Sequence, residues 1–221
     1  MKRIIIIINI GEGQTEQSFC NDILQPHFNR HSIFLHNPVI KKNNGGIVNW
    51  EALKHQIELH LLQDPTAFVT TLIDYYGIHA HHNFPEWTEA QKLPDKNERM
   101  TMLENGMQND IRPDLRRRFV PYIQLHEFEG LLFIDVEAFD NIFEKNEFVD
   151  YEYLIETFEN NPNPEMINDS NETAPSKRLS KIIRGYSKVT AGSLLAQEIG
   201  IGKIRSKCPR FNDWITKLEQ I

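Results

Sequence analysis

Acidic residues follow three apolar segments of this sequence, and their placement points to chemistry with a metal ion. The first acid lies between two glycines, which allow a tight turn and leave its side chain unshielded. Carboxylates within a few ångströms of one another do not all stay ionised unless a cation neutralises them. Carboxylate, water and phosphate oxygens are ligands of Mg²⁺, and paired ions of this kind drive phosphodiester cleavage. The acids are Glu12, Asp74, Glu127 and Glu129.

The elements that must position these acids are strands that alternate with helices in the N-terminal part of the chain. Runs rich in β-branched residues predict strands at about 3–10, 32–40, 67–73 and 119–125. Helices are predicted between them at about 14–29, 49–63 and 96–111. This alternation predicts an α/β fold, with a parallel sheet flanked by helices on both faces. Ligands bind at the edge where the carboxyl ends of parallel strands meet, and we expect the acids to lie there.

The remainder of the chain is predicted to be helical. Helices are expected at about 130–144, 150–159, 176–187 and 209–220, and the Asn- and Pro-rich segment 160–175 is a linker candidate. We therefore expect an α/β domain over residues 1–135 and a helical C-terminal extension over 136–221. The extension would pack on the domain, either as a cap or as a continuation of its outer layer.

Composition limits the classes of protein that fit the chain. Its 221 residues suit one domain, and 40% hydrophobic residues are enough to form a core. Mean hydropathy is −0.47, and no run approaches the roughly 18 apolar residues of a membrane-spanning helix. The first residues lack a signal-peptide pattern, and two cysteines suggest neither a disulfide scaffold nor a metal cluster. We expect a cytoplasmic protein that does not bind a membrane.

The charges are segregated along the C-terminal third of the chain. Residues 137–172 are almost purely acidic and residues 177–210 almost purely basic, in a chain of net charge −7. The basic segment is either a surface that binds an anion or a partner of the acidic segment in ion pairs. The candidate contacts to nucleic acid are Lys177, Arg178, Lys181, Lys203 and Arg205. The glycines on either side of Ile201 favour either a phosphate-binding hairpin or the end of a helix.

Three residues near the expected metal site have two interpretations each. Glu12 is either a metal ligand or the exposed side chain of an ordinary strand-to-helix turn. Glu16 either supports the metal ligands or simply favours the positive end of the helix dipole. His126 is either a general base or a packed histidine with a hydrogen-bonded ring.

Several motifs of the chain resemble those of Toprim domains. Residues 11–16 (Gly-Glu-Gly-Gln-Thr-Glu) follow a strand and resemble the first Toprim motif in the form used by OLD-type nucleases. Residues 72–77 lie where Toprim domains carry Asp-x-Asp. Segments 126–133, 175–179 and 208–214 resemble an uncharacterised domain-of-unknown-function family of small Toprim-like proteins. Members of that family are often encoded beside ABC- or AAA-type ATPases, in settings that suggest phage defence.

The resemblance implies a Toprim-like, Rossmann-like sheet and a metal-dependent nuclease that acts on DNA or RNA. The implied cofactor is Mg²⁺ or Mn²⁺, held by Glu12, Asp74 and Glu129 as catalytic residues, with Glu127 as a further ligand. A lysine stabilises the phosphate in OLD-type nucleases, and Lys177 is the candidate for that role in this chain.

One position departs from the Toprim pattern and keeps a second function open. Tyr76 stands where the second acid of Asp-x-Asp is expected. Either Glu127 or Glu129 then supplies the second ligand, or the site binds one ion, or the site is not catalytic. In the last case the chain would be a non-catalytic or regulatory partner subunit of an ABC- or AAA-type ATPase.

Overall fold

The structure, a computed structural model, describes residues 5–41, 46–167 and 172–221. The first residues of the expected N-terminal strand and residues 168–171 of the expected linker lie outside this part of the chain. The described strands are β1 (Ile5–Gly11), β2 (Ile33–His36), β3 (Phe68–Asp74), β4 (Phe119–Val120) and β5 (Ile123–Gln124).

All of the strand pairs are parallel, which confirms the predicted α/β class. The sheet order is β2-β1-β3-β4, and β5 pairs with β3 beyond the end of β4. The expected strand at 119–125 is therefore two short strands separated by Pro121 and Tyr122. Proline has no N–H for the ladder, and Thr71 Oγ1 replaces the lost pairing, because it accepts from Tyr122 N and donates to Tyr122 O, both at 3.0 Å.

The helix predicted at 14–29 forms with an altered turn in its middle. It consists of α1 (Gln14–Phe19), a π-helical turn (Cys20–Leu24) and α2 (Gln25–Asn29). Proline at position 26 lacks an N–H and its ring clashes with the carbonyl four residues earlier. The wider π turn relieves this clash without ending the helix.

The helices after β2 follow the predictions closely in the N-terminal part of the chain and less closely beyond it. They are α3 (Trp50–Gln63), α4 (Trp87–Ala90), α5 (Lys96–Asp110), α6 (Val136–Ile142), α7 (Tyr151–Asn160), α8 (Pro175–Ile182), α9 (Thr190–Lys207) and α10 (Pro209–Glu219). The sequence predicted neither the short α4 nor α9. Helix α9 changes direction at Gly200, where φ is +74°. None of the described helices is long and apolar enough to cross a membrane.

Two hydrophobic clusters cover the two faces of the sheet. Ile7 of β1 and Leu72 of β3 belong to the cluster that includes residues of α1, α2, α9 and α10. Ile8 and Ile73, on the opposite face of the same strands, belong to the cluster with α3 and α5. Side chains alternate between the faces of a strand, so the apolar runs fill both layers. The C-terminal helices thus form part of the outer layer on one face.

Candidate metal centre at the carboxyl edge of the sheet

Strand order places a crevice between β1 and β3. The chain passes from β1 outward to β2 and then returns to β3 on the other side of β1. Neighbouring strands at such a reversal send their connections to opposite faces, which opens a ligand crevice at their carboxyl ends. Gly11 pairs with Leu72 at this edge, so the residues that follow the two strands line the crevice.

Glu12 and Asp74 meet in this crevice, as the sequence predicted for parallel strands. Glu12 Oε1 accepts a hydrogen bond from the Asp74 backbone N–H at 2.7 Å. Glu16 turns back over the start of α1, where its Oε2 accepts from the Gly13 N–H at 2.9 Å. Glu16 therefore stabilises the N-terminus of α1 and also lies near the other acids.

Asp74 has a buried carboxyl oxygen that lies among other acids. Its Oδ1 is buried and has no hydrogen-bond partner among the described residues. Burial raises the pKa of Asp74 well above its ordinary value of 3.8, and four neighbouring carboxylates raise it further. Together with Asp74 these residues form what we term the acid cluster: Glu12, Glu16, Asp74, Glu127 and Glu129.

The third strand end contributes Glu127 and Glu129 through a short 3₁₀ turn at Phe128–Leu132. Glu127 Oε2 accepts from the Ser176 N–H at 3.0 Å, and Ser176 Oγ donates to Glu127 Oε1 at 3.1 Å. Glu129 is 2% exposed, and its Oε1 lies 2.8 Å from Lys188 Nζ. Burial raises the pKa of Glu129, although Lys188 acts in the opposite direction.

Lys188 lies at the acid cluster, although the sequence analysis did not select it as a site residue. It follows α8, and its Nζ also lies 3.7 Å from Glu127 Oε1. Burial disfavours the charged form of Lys188, but Glu129, Glu127 and Asp74 outweigh it and raise the pKa of this lysine. The only sequence signal was its position in the basic segment, which does not distinguish it from eight other cations there.

The structure shows no ion pair between Lys177 and the acid cluster among the described residues. Lys177 is exposed in the first turn of α8, directly after the Ser176 that binds Glu127. Its predicted role at the phosphate remains a prediction.

The other cations predicted to contact nucleic acid are partly engaged within the chain. Arg178 donates to Tyr153 Oη at 2.8 Å and to the Thr173 carbonyl at 2.9 Å. Lys203 pairs with Asp135, and Arg205 NH2 lies 3.1 Å from Glu219 Oε2. Lys181 lies over the ring of Tyr153 and is exposed.

The described ion pairs of the basic segment use acids outside residues 137–172, so they do not show the predicted ion pairing of the two charged segments. Arg210 NH2 lies 2.6 Å from Glu104 Oε1, so it too is engaged within the chain. The acidic segment supplies Glu165, whose two oxygens accept from the N–H groups of Arg210 and Phe211 at the start of α10.

His126 has an unusual backbone conformation next to the acid cluster. Its φ is +73°, in the left-handed region that non-glycine residues rarely adopt. Its carbonyl accepts from the Tyr76 N–H at 3.4 Å, and its Nε2 lies 3.4 Å from Lys96 Nζ. This hydrogen bond from Tyr76 joins the segment after β3 to the turn that carries Glu127.

The comparison with known families covers this whole site. The sequence matches the family described as domain of unknown function DUF4276 over residues 11–219. The chain belongs to the DUF4276 family. All five acids of the cluster and Lys188 lie within the DUF4276 match, which agrees with the expected uncharacterised family. Neither the curated proteins nor the solved structures gave a match.

Proposed function

We propose that this DUF4276 protein is a metal-dependent phosphodiesterase that cleaves nucleic acid at the acid cluster. The observation that carries the proposal is the accumulation of four carboxylates around Asp74, with Lys188 as the ion-pair partner of two of them. Such an excess of negative charge in a half-buried crevice favours a bound cation. The crevice lies at the carboxyl edge of a parallel sheet, where ligands bind.

The chemistry of the donor atoms suits Mg²⁺ or Mn²⁺, but no three of the five acids bring oxygens within 4.8 Å of one another in the described structure, so their side chains would have to move closer together to hold an ion. Asp74 Oδ1 is buried without a hydrogen-bond donor among the described residues, as expected for an oxygen that faces a metal ion. All of the donors are carboxylate oxygens, which hard divalent ions prefer. Glu12, Asp74 and Glu129 would hold the ion, and Glu127 would add a ligand from the turn that also carries Glu129.

The residues of the chain have separable roles in this reaction. A bound divalent ion would lower the pKa of an attacking water and would stabilise the negative charge on the leaving oxygen. The Asp74 N–H orients Glu12, and Ser176 orients Glu127. Lys188 holds its ammonium group against Glu129, where it would donate to a phosphate oxygen of a bound strand. Lys177, exposed on the first turn of α8, would bind a more distant phosphate.

The test is cleavage of labelled single- and double-stranded DNA and RNA by purified protein with Mg²⁺ or Mn²⁺. Glu12→Gln and Asp74→Asn should each lower the cleavage rate by more than about 100-fold. Mutation of a residue that only orients a metal ligand already lowers metal affinity or activity by about 10–100-fold, and the loss of a ligand should cost more. The matched control is Glu51→Gln, an exposed acid on α3. Cleavage that Glu12→Gln leaves unchanged would show that the activity belongs to another site or a contaminant.

A second function is supported by Tyr76, which is partly exposed where a Toprim domain carries its second acid. On this proposal the chain is a non-catalytic partner of an ABC- or AAA-type ATPase in phage defence. Calorimetry with Mn²⁺ separates the two functions. Heat that disappears in Asp74→Ala supports the metal-dependent enzyme, and absence of heat in the unmodified protein supports the partner subunit. The Toprim relationship, the partner ATPase and the cytoplasmic location belong to these proposals.

A further inference from the structure

A cavity lined by aromatic side chains lies where the chain passes from α6 to α7. Its volume is about 500 Å³, and none of its lining residues belongs to the acid cluster. Cavities of this size are in the range of small-molecule sites. We propose that this cavity is an aromatic cage that binds a quaternary ammonium group. Its lining residues are Asp140, Phe143, Lys145, Phe148 and Tyr151.

The three rings of the cavity meet at nearly right angles. The ring centroids of Phe143 and Phe148 are 6.1 Å apart, with an angle of 78° between the ring planes. Those of Phe148 and Tyr151 are 5.0 Å apart, with an angle of 84°. Perpendicular rings leave a corner in which one group faces two aromatic surfaces. The face of a ring attracts a cation within about 6 Å of its centroid, and the apolar ring carbons suit the methyl groups of a quaternary ammonium.

The charges at this cavity also favour an organic cation. Tyr151 Oη donates to Asp140 Oδ2 at 3.1 Å, which orients the carboxylate at the wall of the cavity. No described ion pair uses an acid from residues 137–152. The exposed Glu144 and Asp150 of the connecting segment therefore add to a field that attracts cations. One carboxylate beside three rings does not suit Mg²⁺ or Zn²⁺, which take several oxygen, nitrogen or sulfur ligands.

Backbone pairing holds the segment between α6 and α7 against the end of α8. The Val149 N–H donates to the Ile182 carbonyl at 2.8 Å. The Arg184 N–H donates to the Glu147 carbonyl, also at 2.8 Å. The residues on both sides of Phe148 are thus fixed without a ligand. A site that is ordered in advance loses less conformational entropy on binding, so the cage requires little reorganisation.

Lys145 is the one cation among the residues that line the cavity. Its side chain is exposed, and the described contacts of a cation with a ring place Arg178 and Lys181 over Tyr153 instead. A lysine packs its carbon stem on apolar surface and keeps its ammonium group in water. Lys145 therefore lowers the affinity for a second cation through its charge, without filling the cage.

The test is calorimetric titration of the full chain with choline chloride at constant ionic strength. The matched ligand is the uncharged carbon analogue of choline, in which a tert-butyl group replaces the trimethylammonium group. It should bind more weakly by about tenfold or more, because the attraction to the rings requires the charge. Acetylated trimethyllysine amide is the third ligand. Tighter binding of this ligand than of choline would assign the cage to a methylated protein, and the reverse to a free small molecule.

Variants separate the parts of the cage. Tyr151→Leu keeps an apolar side chain but removes a ring, and it should weaken choline binding by about 5–30-fold. Asp140→Asn should weaken it about tenfold, and Lys145→Gln should tighten it severalfold, since each removes a charge beside the ligand. The matched control is Phe34→Leu, at a ring of β2 that is 52% exposed, and its affinity for choline should be unchanged.

Three results would each overturn the proposal: no saturable heat with choline, equal affinities for choline and its uncharged analogue, or an unchanged affinity in Tyr151→Leu. Thermal unfolding of the same samples shows whether Tyr151→Leu is folded. If it is not, an unchanged affinity in Asp140→Asn, at an exposed residue, overturns the proposal in its place. These titrations use neither nucleic acid nor a divalent ion, so their failure is distinct from a failure of the proposed nuclease.

Discussion

Lys188 supplies the positive charge that lies nearest to Glu129 and Glu127. The carboxylate of Glu129 is 2% exposed and the side chain of Lys188 is 49% exposed, so the pair is half in solvent. The loss of one partner from a buried pair leaves an uncompensated charge, whereas fully exposed pairs contribute little. Lys188 therefore stabilises the fold and also competes with any cation for the acid cluster.

Lys188→Gln separates these two effects. In the presence of a chelator, we expect its free energy of unfolding to fall by about 1–3 kcal/mol, between the values for buried and exposed pairs. Mn²⁺ should bind the variant more tightly than the unmodified protein, since a competing cation is gone. Urea unfolding in chelator measures the loss of stability, and urea unfolding in MnCl₂ measures the stabilisation by bound Mn²⁺. The control is Lys203→Gln, which removes an exposed ion pair with Asp135. Weaker Mn²⁺ binding in Lys188→Gln would contradict the competition.

Asp74 makes stability depend on pH with a defined sign. Burial and four neighbouring acids raise the pKa of Asp74 well above 3.8 in the folded protein. At a pH between the unfolded and the folded pKa, Asp74 is therefore protonated in the folded state and ionised in the unfolded state. Stability of the metal-free protein should therefore fall as pH rises above about 4 toward the folded pKa. Thermal unfolding midpoints across pH in chelator measure this fall, which Asp74→Asn should reduce. Saturating Mn²⁺ should reverse it, because the ion binds the deprotonated carboxyl.

Sequence reasoning found the acids of the site but not their lysine. Glu12 and Asp74 were predictable because each ends an apolar strand, and parallel strands end at one edge. Lys188 is 59 residues from Glu129 and follows a helix rather than a strand. No local periodicity encodes that separation, so only the tertiary packing of the C-terminal helices brings it to the site.

At the scale of the elements, glycines and prolines explain where the predictions were wrong. Gly200 and Gly202 suggested a turn, yet both lie within the segment assigned to α9. Only Gly200 has a positive φ, at +74°, which supports the interpretation of a helix end at this point. Pro121 divides the fourth predicted strand into two, and Pro26 accompanies the π turn between α1 and α2. Each of these glycines and prolines can be read from the sequence. Whether such a residue ends a helix or strand or only distorts it depends on the packing around it.

The two glycines of α9 provide a matched pair of substitutions. A Cβ on either residue would meet nothing within 4 Å, so only the backbone conformation distinguishes them. Gly200→Ala should destabilise the protein by about 1–2 kcal/mol, because alanine disfavours a positive φ. Gly202→Ala should stabilise it by about 0.5–1 kcal/mol through helix propensity. Urea unfolding of both variants tests this, and equal effects would contradict the change in direction at Gly200.

At the scale of the whole molecule, the acidic net charge and the proposed nucleic acid substrate act against each other. A chain of net charge −7 gains little affinity for phosphate from its average field. Several cations of the basic segment are held within the chain, including Arg178, Arg205 and Arg210. The exposed cations of this segment that lie outside the described ion pairs are Lys177, Lys181, Arg184 and Lys207. These four groups are the expected phosphate contacts.

Salt dependence tests this assignment. If three or four of these cations reach phosphates on duplex DNA, each contributes about −0.9 to the slope of log affinity against log salt. Affinity should then fall by roughly two orders of magnitude between about 50 and 200 mM salt. Fluorescence anisotropy with a labelled duplex, in the presence of Ca²⁺ in place of Mg²⁺ to prevent cleavage, measures this slope.

The matched variants are Lys177→Glu and Arg117→Glu. Lys177 lies next to Ser176, which binds Glu127 of the acid cluster, so its reversal should weaken binding and reduce the steepness of the salt slope by about 0.9. Arg117 is also exposed but precedes β4, at the edge of the parallel sheet opposite the acids, and its reversal should leave the slope unchanged. Equal losses in the two variants would place the nucleic acid on a different face of the molecule, because only one of these cations lies on the side of the proposed catalytic crevice.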